Sequence, residues 1–196
     1  MTDTKALWKG EFGRRYAQRN QGKVPANIAM FGRIMAVIDS IHSILELGCG
    51  TGQNLEALRM LSPGLLLTGV EINQEAAKQC TTGTIHCKPI LEYKGDKHDM
   101  VMTKGVLIHQ PPDTLPDMYT KIYSHARSYI LLAEYYNPTP VEVPYRGIEG
   151  ALWKRDFAGE MLDRFSDLKL VDYGFVYHRD RHFPQDDVTW FLLEKA

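Results

Sequence analysis

Apolar positions along this chain follow two rhythms, short continuous runs and runs spaced by three and four residues, which read as strands interleaved with helices. Pro25 to Ile38 carries Ile28, Phe31, Ile34, Met35 and Ile38 at helical intervals, predicting an amphipathic helix. The strand-like run from His42 to Leu47 follows, and Gln53 to Leu61 repeats Leu55, Leu58 and Leu61 as a helix would. Leu67–Ile72 predicts a second strand, Asn73–Gln79 a short helix, Thr84–Cys87 a brief third strand and His98–Thr103 a fourth. Pro112–His125 predicts a helix with Leu115, Met118 and Ile122 inward, and Ser128–Tyr136 is the near-continuous apolar run of a central parallel strand. Lys154–Phe165 predicts a helix capped by Asp156. Leu168–Tyr177 and Val188–Glu194 are strands whose connection leaves no room for a crossover helix, so they pair antiparallel.

Strands alternating with helices predict an α/β fold: a Rossmann-like, doubly wound, seven-stranded and mostly parallel sheet, with an antiparallel C-terminal strand and helices on both faces. At 196 residues the chain is read as one domain. Residues 1–40 form a helical lid and lead-in helix, 41–136 the cofactor-binding sheet, and 137–196 an acceptor-side loop, helix and hairpin.

The first strand ends in three glycines at alternate positions, Gly48, Gly50 and Gly52. Glycine lets the backbone turn with positive φ and lets a ligand approach the main chain without meeting a Cβ. A turn of this kind at a strand's carboxyl end is where open α/β sheets bind adenosine-containing ligands. A dinucleotide fingerprint requires G-x-G-x-x-G, whereas the run from Glu46 reads E-x-G-x-G-x-G with Gln53 at the sixth position. That pattern matches the first motif of S-adenosyl-L-methionine (SAM) methyltransferases. Glu71 ends the next strand about twenty residues on, where a carboxylate accepts both ribose hydroxyls. Cys49, Thr51 and Asn54 complete the loop, Ile72 with Pro89 or Ile90 lines the adenine, and Glu46 meets the α-ammonium directly or through water. Thr103, Lys104 and Gly105 lie where strand four ends beside the glycine turn.

In the N-terminal segment Trp8, Phe12 and Tyr16 recur every four residues, an aromatic stripe over a pocket mouth from which Tyr16 and Arg19 reach the methionine end of the cofactor. His109 follows strand four and is the candidate general base, or a substrate contact, because a neutral imidazole can take a proton near neutral pH. The loop after strand five holds three prolines in seven residues, Pro138, Pro140 and Pro144, and is not helical. Its Tyr135, Asn137, Tyr145 and Arg146 are candidates for the acceptor pocket, and Arg146, His178 and Arg179 for a carboxylate or phosphate.

Composition narrows the partners. A net charge of −1 and 44% hydrophobic residues describe a soluble globular protein without the positive surplus that nucleic acid demands. No apolar run approaches the roughly 20 residues that cross a bilayer, and Met1–Lys5 does not begin a signal peptide, so a cytoplasmic location is expected. Cys49, Cys80 and Cys87 lack metal-site spacing, and no metal is expected.

The segments LELGCGTGQNLEAL, GVEIN, TKGVLIH, AEYYNPTPVEVPYRG, KRDFAGE, DYGFVYHRD and FPQDDVTWFLLEK resemble the pseudaminic acid biosynthesis-associated methylases, within the class I SAM-dependent methyltransferases. The resemblance runs over nearly the whole chain, with Gln110 departing from the aliphatic residue expected after the histidine. It implies O- or N-methylation of a small polar acceptor, an acidic, sialic-acid-like sugar or nucleotide sugar, by a monomer or homodimer. Three alternatives stay open: a SAM-binding module without turnover, a methyltransferase for a different small molecule, and a nicotinamide-dependent oxidoreductase.

Overall fold

The computed structural model describes residues 2–196, and Met1 lies outside them. In chain order the strands are β1 (Ser43–Leu47), β2 (Leu66–Glu71), β3 (Thr84–Cys87), β4 (His98–Lys104), β5 (Ala126–Glu134), β6 (Val141–Glu142), β7 (Trp153–Lys154), β8 (Leu168–Val176) and β9 (Val188–Lys195). The helices are α1 (Thr4–Lys9), α2 (Glu11–Arg19), α3 (Val24–Met35), α4 (Gln53–Leu61), α5 (Gln74–Gln79), α6 (Leu115–His125) and α7 (Phe157–Arg164), with short 3-10 turns at Ile90–Glu92 and Leu107–His109.

Seven strands form one sheet in the order β3-β2-β1-β4-β5-β9-β8. β3, β2, β1, β4 and β5 are parallel, and β9 inserts antiparallel between β5 and β8, as predicted for the C-terminal strand. All five residues of β1 are buried, which suits a central parallel strand covered on both faces. Alternate side chains feed two cores. Leu45, Leu47, Val101, Ile130 and Leu193 pack with Met118 and Ile122 of α6 and Phe157 and Met161 of α7. Ile44, Leu67, Met100, Leu131 and Trp190 pack with Phe31 and Ile34 of α3 and Leu55 and Leu58 of α4. Each fully buried Leu, Ile or Phe contributes about 1.5 to 3 kcal/mol relative to exposure.

Element ends shift by up to three residues from the sequence reading, and three segments differ in kind. The N-terminal aromatic segment is two helices broken at Gly10, yet Trp8 still packs edge-on against Phe12 and Tyr16, with ring centroids 5.3 and 5.0 Å apart. The proline loop contains a small antiparallel ladder, β6 with β7, that the prolines concealed. Lys154 is used in that ladder, so α7 starts at Phe157, capped by Asp156, which accepts the Gly159 N–H at 2.8 Å. Among the described residues no helix is long and apolar enough to cross a membrane.

Candidate functional site

β1 lies between β2 and β4, so the chain leaves it for opposite halves of the sheet and a crevice opens at the carboxyl ends of these strands. A cavity of about 400 Å³ fills that crevice, roofed by α1 and α2. Gly48, Cys49, Gly50, Thr51 and Asn54 line its floor, with Glu71 and Ile72 from the end of β2 and Lys104 and Gly105 from the end of β4.

The three glycines of the first turn have φ of 82°, 55° and 85°, all in the left-handed region. Their reasons differ. A Cβ on Gly48 would lie 2.5 Å from Val106 Cγ2, and one on Gly52 would lie 2.2 Å from Cys80 Sγ. A Cβ on Gly50 would meet nothing within 4 Å, and Gly50 lines the cavity. Gly52 is therefore a packing residue behind the turn, whereas Gly50 keeps its main chain bare toward the cavity.

Glu71 holds this floor together. One of its carboxylate oxygens accepts the Gly50 N–H at 2.8 Å and the other the Asn73 N–H at 2.7 Å. A carboxylate has about four lone-pair sites, so both oxygens keep capacity for further donors. Burial pushes its pKa up, opposed by the N–H bonds from Asn73 and Gly50. Glu46 is fully buried and does not line the cavity. Its Oε1 accepts the Asn54 Nδ2–H at 2.6 Å and so orients a cavity residue, and its Oε2 has no hydrogen-bond partner among the described residues. Burial raises its pKa to about 8.

Of the adenine candidates, Ile72 and Ile90 line the cavity together with Leu91, and Pro89 does not. Thr103 is fully buried beneath the end of β4, outside the lining. Lys104 does line it, and burial lowers the pKa of its ammonium.

α2 turns Gly13, Tyr16, Ala17 and Asn20 toward the cavity, a spacing of three and four that is one helix face. Arg19, at the edge of that face beside Tyr16, stays outside the lining. It is exposed, its guanidinium 6.0 Å from the Phe12 ring centroid, so its expected grip on the cofactor is corrected.

His109 lines the cavity on the 3-10 turn after β4. Its Nδ1 is 2.6 Å from the Ala151 carbonyl, and a carbonyl only accepts, so Nδ1 carries the hydrogen and Nε2 the lone pair. The ring packs between Trp8 and Tyr145, at 4.6 and 4.9 Å between centroids. Burial pushes its pKa down to about 4. At neutral pH His109 is a neutral hydrogen-bond acceptor and, by Brønsted behaviour, a weak base.

The expected acceptor residues do not enter the cavity lining. Tyr145 reaches it only through His109. Tyr145 and Ile148 bridge a tight turn in which Arg146 and Gly147 have φ of 52° and 80°, and this places the Arg146 side chain in solvent over the Tyr145 ring. Tyr135 is half-buried against both cores, and Asn137 donates its Nδ2–H to the Thr139 carbonyl. His178 pairs with Asp187 at 2.8 Å, both exposed, and Arg179 beside it is exposed too. It is Asp186 of the same loop that lines the cavity, 3.6 Å from Lys23 Nζ, because buried Gln185 pins the loop by donating to the Ala26 carbonyl at 2.9 Å.

Two lining residues carry polar atoms to which sequence reasoning gave no role. Trp8 Nε1 and Asn27 Oδ1 are buried without a hydrogen-bond partner among the described residues, and both side chains line the cavity. Buried polar atoms of this kind are normally satisfied, so they mark places for a ligand's polar groups. Asn27 lies on the face of α3 read simply as core, and only its polarity within that stripe signalled a role.

No sequence-family profile and no curated protein sequence matches the chain. Solved structures do. The magnesium protoporphyrin IX methyltransferase of Synechocystis PCC 6803 with bound SAH is 14% identical at a TM-score of 0.71, covering 98% of each chain. The 1,6-didemethyltoxoflavin-N1-methyltransferase of Burkholderia thailandensis, with bound 1,6-didemethyltoxoflavin and S-adenosylhomocysteine, is 15% identical at 0.71, covering 98% of this chain and 87% of that one. A SAM-dependent methyltransferase from Archaeoglobus fulgidus is 17% identical at 0.69, covering 94% and 100%. The strand order, the antiparallel β9 and these near full-length superpositions establish that the chain has the Rossmann-like fold of SAM-dependent methyltransferases.

Proposed function

We propose that the protein is a SAM-dependent methyltransferase acting on a small polar acceptor. The observation that carries this reading is the cavity floor: bare main chain at Gly50 beside a Glu71 carboxylate with unused acceptor sites, at the switch point of the sheet. Glu71 suits ribose hydroxyls, Ile72, Ile90 and Leu91 suit an adenine, and Lys104 with Asn27 suits a carboxylate and an ammonium at the other end. Bound there, SAM supplies an electrophilic methyl on a sulfonium. The chain's own contribution is alignment and exclusion of water by the aromatic lid, and alignment alone can lower a barrier by roughly 7 to 11 kcal/mol. His109 Nε2 accepts a hydrogen bond from the acceptor's O–H or N–H and orients its lone pair.

For the acceptor we infer an acidic, sialic-acid-like sugar or nucleotide sugar. This is supported by the sequence likeness of the loop at 133–147 and the tail at 183–195 to pseudaminic acid-associated methylases. It is also supported by exposed basic side chains, Arg146 and Arg179, on two loops outside the cavity lining, one touching His109 through Tyr145 and the other reaching the lining through Asp186.

Isothermal titration with SAM, SAH and NAD tests the cofactor. SAM and SAH are expected to bind one to one and NAD not at all, and Glu71→Ala should weaken both by about tenfold to a hundredfold, the size of a lost hydrogen bond to a charged group. Tight NAD binding without SAM binding would reject the reading. Incubation with methyl-labelled SAM and candidate acidic sugars, followed by mass spectrometry, tests turnover, and bound SAM with no labelled product would leave a binding module.

A further inference from the structure

We propose that Asn73 and Gln53 are positioning residues that latch the α1–α2 lid onto the cofactor floor and thereby set how fast a bound adenosyl ligand escapes. Each is the first polar side chain beyond a floor element, Gln53 after the glycine turn and Asn73 after the Glu71 strand end. Each works in two directions at once.

The Asn73 Oδ1 accepts the N–H groups of Glu75 and Ala76 at 3.1 Å, an ordinary N-cap for α5. Its Nδ2 points the other way, to the carbonyls of Trp8 and Gly10 at 3.1 Å and of Lys9 at 3.4 Å. The carbonyls of Trp8 and Lys9 are end carbonyls of α1, which have no partner within the helix itself, and that of Gly10 opens α2, where it also accepts the Arg14 N–H at 3.2 Å. Gln53 repeats the arrangement at the far end of the lid. Its Oε1 accepts the Lys23 N–H at 2.7 Å, and its Nε2 donates to the carbonyl of Asn20, the residue that closes α2.

The lid is thus held at the end of each of its helices, and both clasps come from the cavity floor. Asn73 is further tied to the ligand side, because its own N–H donates to the Glu71 carboxylate that also accepts Gly50 N–H. A ligand that orders Glu71 also orders the residue that grips α1. Gly13 shows how close the lid lies: a Cβ there would fall 2.0 Å from the Trp8 carbonyl oxygen and 2.8 Å from Asn73 Nδ2. That contact accounts for a glycine in the first turn of α2, where another residue would favour the helix more.

Asn73→Asp separates the two directions. The aspartate still caps α5 but has no hydrogen to donate to α1, and Gln53→Glu likewise keeps the bond from Lys23 N–H and loses the donor to Asn20. In the cofactor-free protein, amide hydrogen exchange in residues 4–19 should speed up about tenfold, roughly the worth of one net hydrogen bond, with α5 amides unchanged. Stopped-flow dissociation of SAH should accelerate by a similar factor while its association rate stays within about twofold. Gly13→Ala, which strains the same contact from the lid side, should act in the same direction. Unchanged exchange in the lid of both amide variants, or equal loosening of α5 and the lid in Asn73→Asp, would overturn the latch. The dissociation arm rests on the cofactor reading and the exchange arm does not. A parent protein that binds no SAH therefore removes that reading, while lid exchange still decides the role of Asn73 and Gln53.

Discussion

At the scale of single residues, the glycine turn separates packing from ligand access. Gly52 and Gly50 share positive φ, but a methyl on Gly52 collides with Cys80 Sγ and one on Gly50 projects into open cavity. Gly52→Ala should therefore cost about 2 to 4 kcal/mol, overpacking added to a strained backbone. Gly50→Ala should cost only about 1 to 2 kcal/mol, the left-handed penalty alone, yet reduce SAM affinity more than tenfold by filling the space against the main chain. Urea unfolding and isothermal titration on the two variants check this. Equal destabilisation with unchanged affinity in Gly50→Ala would show that the two glycines do the same thing. In the sequence the three glycines are equivalent letters, because what distinguishes them is which distant side chain, Val106 or Cys80, stands opposite the missing Cβ.

At the scale of elements, the turn carrying His109 is held from the end of β5. The Glu134 carboxylate accepts the Val106 N–H at 3.0 and 3.1 Å, the Leu107 N–H at 3.1 Å and the Ile108 N–H at 3.3 Å. These are the free donors at the start of the 3-10 turn, and a negative charge there is favourable. Glu134→Ala should destabilise the protein by about 3 kcal/mol, since buried N–H groups left without partners cost about 1 to 3 kcal/mol each. Glu134→Gln, which keeps one acceptor oxygen, should cost less, and equal urea midpoints for the parent and Glu134→Ala would remove the anchor. An acid ending an apolar strand carried no periodicity signal, so its role was invisible until β4 and β5 were paired. In α2, Tyr16 lines the cavity while Arg19, three residues on, turns its side chain into solvent over the Phe12 ring, a side-chain direction that residue spacing does not encode.

At the scale of the whole molecule, buried titratable groups set opposing pH trends. His109 ionises at about 6.5 when unfolded and at about 4 when folded. As pH falls through that window the unfolded chain takes up a proton the native state refuses, and stability drops. Glu46 and Glu134, with pKa values raised to about 8 and about 7, act the other way: their contribution is present below about 4.5 and is lost as pH rises through 7 to 8. His109→Gln isolates the first trend. Between pH 7 and 4.5 the parent should lose about 2 kcal/mol more unfolding free energy than the variant. A difference that stays constant with pH would mean that His109 is not held neutral by burial.

The order of the seven sheet strands along the chain, the doubly wound sheet and the glycine turn at the end of its first strand were all legible in the sequence itself. Hydrophobic period is a local property, and so is the need for glycine where a strand turns sharply into a helix. Glu71 followed from the same local logic, as the acid ending the next strand. Only the tertiary structure decided which distant residues complete the site: Asn27 and Trp8 unpartnered at its wall, Asp186 at its edge, Asn73 and Gln53 clasping the lid, and Arg146, His178 and Arg179 left in solvent. The physical reason is that these choices depend on strand order, helix phase and the packing of segments far apart in the chain, and no window of neighbouring residues contains that information.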